Sequence, residues 1–162
     1  MFSTVSGVSS SDVVALEATD DRSKPYASEI AAWIEAGGKP GSNRPVEIAA
    51  TELGPLYKLA LEQGLKPPRY AGEIAITEWL ADELRNLEGP ALVVYENGRI
   101  PGMLAREGIS GTVAVATTRN LLDLAQRDGL IPEAEELWAR IAKVAPTANP
   151  ASVLTYINPP KP

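Results

Sequence analysis

The chain of 162 residues contains no cysteine and no histidine. Without cysteine it has neither a disulfide framework nor a thiolate that ligates metal or attacks a substrate. Without histidine, imidazole-based triads, zinc–histidine sites and imidazole acid–base chemistry drop out. Any metal must then be held by oxygen, which points to magnesium, manganese or calcium. No apolar run approaches the roughly 18 residues of a membrane span. The opening MFSTVSGVSSSD has no basic residue ahead of its few apolar ones, so it does not read as a signal peptide. A cytoplasmic protein without a membrane partner is the expectation. Positive charge is also in deficit: 15 Lys and Arg against 21 Asp and Glu leave a net charge of −6. That balance argues against broad nonspecific adhesion to nucleic acid, but it leaves room for a local basic groove.

What is present suffices for one domain with a real core. Residues 1–11 are Ser-rich and predict a flexible lead-in, residues 12–158 a single domain, and residues 159–162 a tail. Asp12–Thr19 reads either as a short strand running into a helix or as a helical turn capped by Ser10 or Ser11. A helix is expected over Lys24–Ala36, with Pro25 in its first turn and Ile30, Trp33 and Ile34 on its apolar face. Gly37-Gly38 ends it, and KPGSNRP is a turn-rich linker. Val46–Ala49 alternates as a strand does. Leu53, Leu56, Tyr57, Ala60 and Leu61 then form a helix stripe that Gly64 stops, with Thr51 as a candidate cap. Lys66-Pro67-Pro68-Arg69 is a stiff basic connector.

The stretch AGEIAITEWLADELRNLEGPALVVYEN, ending at Asn97, organises the rest. Ile76, Leu80, Leu84 and Leu87 fall on one helical stripe, and Glu73 lies on that stripe in the first turn. An acid aligned with a buried face needs a partner, because burying an unpaired carboxylate is costly. A Gly-Pro break precedes the apolar strand Ala91–Tyr95, and Glu96 follows it where a strand hands over to a loop. Asn97-Gly98 is a hairpin dipeptide in isolation, but Pro101-Gly102 follows closely and favours a loop into a short helix around Met103–Glu107. Another strand is expected over Ile109–Ala116, then a helix capped by Thr117 or Thr118 and closed by Asp128-Gly129. A further helix starts at Pro132, and Val153–Ile157 is an edge strand or a terminal turn. Strands alternating with helices from Val46 onward predict an α/β layered domain with a mainly parallel sheet. Ligands gather beyond the carboxyl ends of strands in such sheets, which is where Glu96 falls.

Each candidate also has a plain structural explanation. The helix dipole alone favours Glu73 in a first turn, Glu96 suits a solvated turn, and Glu17 stands among Asp12, Asp20 and Asp21. Lys66, Arg69, Arg99 and Arg119 are candidate contacts to phosphate, yet surface charge is the common fate of such residues. Trp33, Trp79 and Trp138 fit a core or a dimer interface rather than base-stacking platforms.

GEIAITEWLADEL, followed by ALVVYENGRIPGMLAREGISGTVAVATTRNLLDLAQRDGLIPEAEELWARI, resembles the second half of PIN-domain proteins. Upstream, SDVVALEATDDRSKPYASEIAAWIEA is similar to the segment that supplies the family's second acid. The resemblance covers about Asp12 to Val144, and it is carried by order and spacing rather than by any single motif. It implies a three-layer α/β/α fold and a metal-dependent endoribonuclease using magnesium or manganese, often the toxin of a toxin–antitoxin pair. Position by position, Glu17 matches the second acid, Glu73 the helix-start acid and Glu96 the post-strand acid, with Asn97 in place of a further aspartate. These four are the implied metal ligands, and the three glutamates are the implied catalytic acids. The family opens with an apolar strand ending in an aspartate, and the resemblance matches no residue to that strand or its acid. The expected functions are therefore an endoribonuclease with RNA and antitoxin partners, or a catalytically inactive PIN-like module that pairs with protein. A homodimer is expected in either case. A third reading is a different α/β enzyme with a hairpin at Asn97-Gly98 lining a pocket.

Overall fold

The computed structural model describes residues 8–37, 46–86, 91–109 and 111–158. Residues 1–7, the linker from Gly38 to Pro45, Leu87, the Gly89-Pro90 break and the tail 159–162 lie outside the described residues. The chain divides into two compact units, the first ending at Trp79 and the second beginning at Leu80. Among the described residues it is mixed α/β, with seven helices and two small sheets. No described helix is long and apolar enough to cross a membrane.

The first unit contains β1 (Val8–Ser11), α1 (Asp12–Thr19), α2 (Ala27–Gly37), β2 (Val46–Ala49), α3 (Leu53–Glu62) and the start of α4 (Ala71–Asn86). β1 and β2 pair in parallel, with Val8 opposite Val46 and Ser11 opposite Ala49. A strand thus stands where a lead-in was expected. Serine has little strand propensity, and it is the partner Val46-Glu47-Ile48-Ala49 that satisfies the backbone groups of β1. Ser11 is fully buried, and its hydroxyl accepts the Val14 amide at 3.3 Å, so strand becomes helix within one residue. The helical reading of Asp12–Thr19 is the one adopted. Val13, Tyr57, Ala71 and Ala75 form the buried cluster, with Leu16, Leu53 and Leu61 packed against it. Alanine at 71 and 75 lets the start of α4 share a core with α1 and α3. Gly64 follows the C-cap of α3, and its φ of 65° is open to glycine at no steric cost. The Leu65 amide then reaches back to the Ala60 carbonyl at 2.8 Å.

The second unit contains β3 (Ala91–Tyr95), α5 (Ile100–Arg106), β4 (Val113–Thr117), α6 (Thr118–Arg127), α7 (Ala134–Val144) and β5 (Leu154–Ile157). The strand order is β3-β4-β5, with β3 and β4 parallel and β4 and β5 antiparallel. β4 is buried along its whole length, as the apolar sequence VAVAT of a parallel strand covered on both faces requires. Asn97-Gly98 makes no hairpin. The Asn97 side-chain oxygen accepts the Arg99 amide at 3.1 Å, and its carbonyl accepts the Ile100 amide at 3.1 Å, leading into α5. Pro101 sits in the first turn of α5, where no amide is needed. The segment near 154 is a true edge strand, and its antiparallel pairing makes this sheet mixed rather than parallel throughout.

Candidate acidic site at the start of α4

α1 carries Val13 into the core of the first unit, and Glu17 follows one helical turn later on the same face. The chain reaches α4 from Pro67-Pro68 through Tyr70, whose φ of 62° is uncommon for an aromatic residue. Ala71 and Ala75 dock on the core, and this docking brings the first turn of α4 to Glu17. The Glu17 carboxylate lies against the Gly72 backbone, in the space a side chain there would fill, and the nearby Gly72 amide favours its charged form. Glu73, the next residue, is half-buried in the same turn, and Thr77 donates its hydroxyl to the Glu73 carbonyl at 2.7 Å.

Two like charges therefore share the start of one helix. Burial first, and the negative charge of Glu73 second, push the Glu17 carboxyl above its ordinary value. The nearby Gly72 amide acts in the opposite direction and does not overcome them. Lys24 has the weakest influence on Glu17. Its ammonium donates to Asp20 at 3.0 Å and to the main-chain oxygen of Glu17 at 3.4 Å, closing the C-terminal end of α1. The Tyr57 phenol is also pushed up, by burial and then by the charges of Glu17 and Asp20. Negative potential is thus concentrated where α1 faces α3 and α4.

Asp12 is an acid that no motif singled out. It follows β1 directly, at the carboxyl end of a parallel strand pair. One oxygen accepts the Thr51 hydroxyl at 2.7 Å and the Val13 amide at 2.8 Å, and the other accepts the Thr51 amide at 3.1 Å. Glu52 occupies the N-cap of α3 without a side-chain capping bond, so Asp12 supplies the carboxylate at that helix start from a different element. Thr51 therefore binds Asp12 instead of capping its own helix. Asp12, Leu16, Ile48, Pro55 and Lys58 line an open groove of about 550 Å³. The available sequence signal was Ser11-Asp12 ahead of a helical apolar pattern. The partner at Thr51 is 39 residues away and leaves no local trace.

The basic candidates of this unit flank α4. Lys66 is exposed, and the exposed Arg69 guanidinium lies 4.8 Å from the centroid of the Tyr70 ring. In the second unit, Glu96 is exposed just past β3, and its carboxylate accepts the Asn149 amide at 2.9 Å. Asn97 shapes the turn into α5, and Arg99 is exposed within that turn. Arg119 pairs with Glu135 at 2.7 Å and Asp123 at 3.3 Å, and lies 5.9 Å from the Trp138 ring centroid. Trp138 is buried, whereas Trp33 is 44% exposed.

Among the described residues, no set of three or more acidic side chains is grouped so as to hold a metal ion. The structure brings Glu17 and Glu73 together within one unit. Comparison of the chain with protein-family models, with curated proteins and with solved structures returns no match, so its family is not assigned by likeness and its chemistry must be argued from these residues.

Proposed function

We propose that this protein is a divalent-metal-dependent endoribonuclease of the PIN type, the toxin of a toxin–antitoxin pair, whose chemistry centres on Glu17 and Glu73. One observation carries the reading: two half-buried carboxylates, Glu17 and Glu73, meet at a single helix start, where burial and then the Glu73 charge raise Glu17. Such an arrangement costs stability and is typical of functional sites. Magnesium keeps several waters and binds through one or two carboxylates plus substrate phosphates. A pair of glutamates fits that donor set, and fits manganese equally well. Bound there, the ion would lower the pKa of a water and offset charge on an RNA phosphate. Glu17 and Glu73 would hold it, and the Gly72 amide would orient the Glu17 carboxylate. Lys66 and Arg69, on the connector entering α4, would take phosphates of the RNA strand. Glu96, Asn97, Arg99 and Arg119 enter this reading, as does the three-layer sheet, through the PIN resemblance alone.

The test is RNA cleavage with and without magnesium or manganese, comparing wild type with Glu17→Gln and Glu73→Gln. Each substitution is expected to lower the rate at least about 100-fold, in the range of losing one electrostatic contact to the transition state. Cleavage unchanged by either substitution would sink the assignment.

A catalytically inactive PIN-like interaction module is the second reading. It is favoured by the Glu96 carboxylate, which is engaged by the Asn149 amide, and by the exposed Trp33. Homodimer and antitoxin surfaces belong to both readings. Calorimetry that detected tight binding of manganese, abolished in Glu73→Gln, would count against the inactive module.

A further inference from the structure

Glycine stands in the first turn of two helices of the first unit, Gly54 in α3 and Gly72 in α4. In both places the room left by the missing side chain is filled by a carboxylate from α1. A Cβ on Gly54 would fall 1.8 Å from Asp12 Oδ2, and a Cβ on Gly72 would fall 2.5 Å from Glu17 Oε2. Neither glycine has the positive φ that excludes L side chains, so the backbone itself admits alanine. What forbids a side chain is the acid.

The two carboxylates are held differently. Asp12 is fastened by the Thr51 amide, the Thr51 hydroxyl and the Val13 amide. Among the described residues Glu17 has no such set of bonds: its carboxylate lies against the Gly72 backbone, one residue before Glu73. Displacing Asp12 would therefore leave the start of α3 without its anion. Displacing Glu17 would separate two like charges, and the atoms to be moved are the far end of a flexible side chain.

We propose that Gly72 is a positioning residue. The absence of its side chain admits the Glu17 carboxylate to the start of α4 beside Glu73, and this arrangement is kept for the function of the pair rather than for the stability of the fold. The consequence for divalent-ion binding rests on the metal-dependent reading above, whereas the consequence for geometry does not. Alanine is favoured over glycine in helices, so Gly72→Ala folds at least as stably as the wild type while losing the acid pair.

Three measurements on the full chain test this. Hydrogen exchange at the residue-72 amide reads whether the Glu17 carboxylate covers that turn. Gly72→Ala should exchange at least about 10-fold faster at that amide than wild type, matching Glu17→Ala, and its melting temperature should be equal or higher. Manganese affinity, read by calorimetry, should fall at least about 10-fold, which corresponds to about 1.4 kcal/mol. Glu17→Ala serves as the reference for complete loss. Unchanged protection at residue 72, or a melting temperature lowered as far as that of Gly54→Ala, would overturn the inference. If wild type binds no manganese and cleaves no RNA, the ribonuclease reading fails and so does the functional purpose assigned to Gly72. Rapid exchange in Gly72→Ala would then support only its geometric half.

Discussion

Glu17 illustrates how one side chain couples stability to a site. Its carboxyl is raised above the ordinary glutamate value, so the folded protein holds the proton more tightly than the unfolded chain does. For an acid this contributes stability that is fully present below the unfolded value and is lost as pH rises through the folded one. At neutral pH the ionised Glu17 is therefore a net burden on the fold. In metal-free buffer, Glu17→Gln should melt higher than wild type at pH 7, with the advantage shrinking to nothing as pH falls below the ordinary glutamate value of 4.5. Thermal melts of both proteins across that range check the sign. Removing Asp12, by contrast, takes away bonds that the fold uses. Asp12→Ala strips α3 of its borrowed carboxylate and should cost about 1–2 kcal/mol, read as a lower urea midpoint at unchanged slope. Gly54→Ala should destabilise as well, because its Cβ occupies the Asp12 position.

At the scale of elements, local chemistry accounts for much of what forms. The sequence predicts a helix cap at Thr117 or Thr118, and it is the Thr117 hydroxyl that accepts the Asn120 amide, at 3.2 Å. What it does for the sheet was not legible. The same hydroxyl donates to the Ala151 carbonyl at 2.7 Å and accepts the Val153 amide at 3.2 Å, tying β4 and α6 to the chain that enters β5. Those partners lie 34 and 36 residues away, beyond any helical or strand period. Thr117 is fully buried, so Thr117→Val keeps the shape but strands several backbone groups. It should cost about 2–4 kcal/mol, given about 1–3 for each buried group left unpaired. Equilibrium denaturation with β5 protection followed by hydrogen exchange tests both the size and the location of the loss. β1 shows the converse. Its serines carry no strand signal, and only the pairing with Val46–Ala49 makes them a strand.

For the whole molecule, a deficit of positive charge and a pair of repelling glutamates lead to one prediction about ions. A divalent cation that binds only the folded protein stabilises it by mass action, about 2.7 kcal/mol at a concentration 100 times the dissociation constant. Manganese should therefore raise the melting temperature of wild type, and the rise should be absent in Glu73→Gln. A rise of equal size in both proteins would place the ion elsewhere. Composition decided by itself that any metal here is held by oxygen, because no imidazole or thiol is available. Periodicity and punctuation decided most helices, the β3 and β4 strands, and the loop rather than hairpin at Asn97-Gly98, since these depend on neighbours within a few residues. Tertiary structure alone decided that β1 exists, that β5 runs antiparallel, and that α1 lends Asp12 and Glu17 to the starts of α3 and α4. Each of these depends on groups brought together from distant parts of the chain by burial of the Val13–Tyr57–Ala71–Ala75 cluster or by sheet pairing. No local pattern encodes such a meeting.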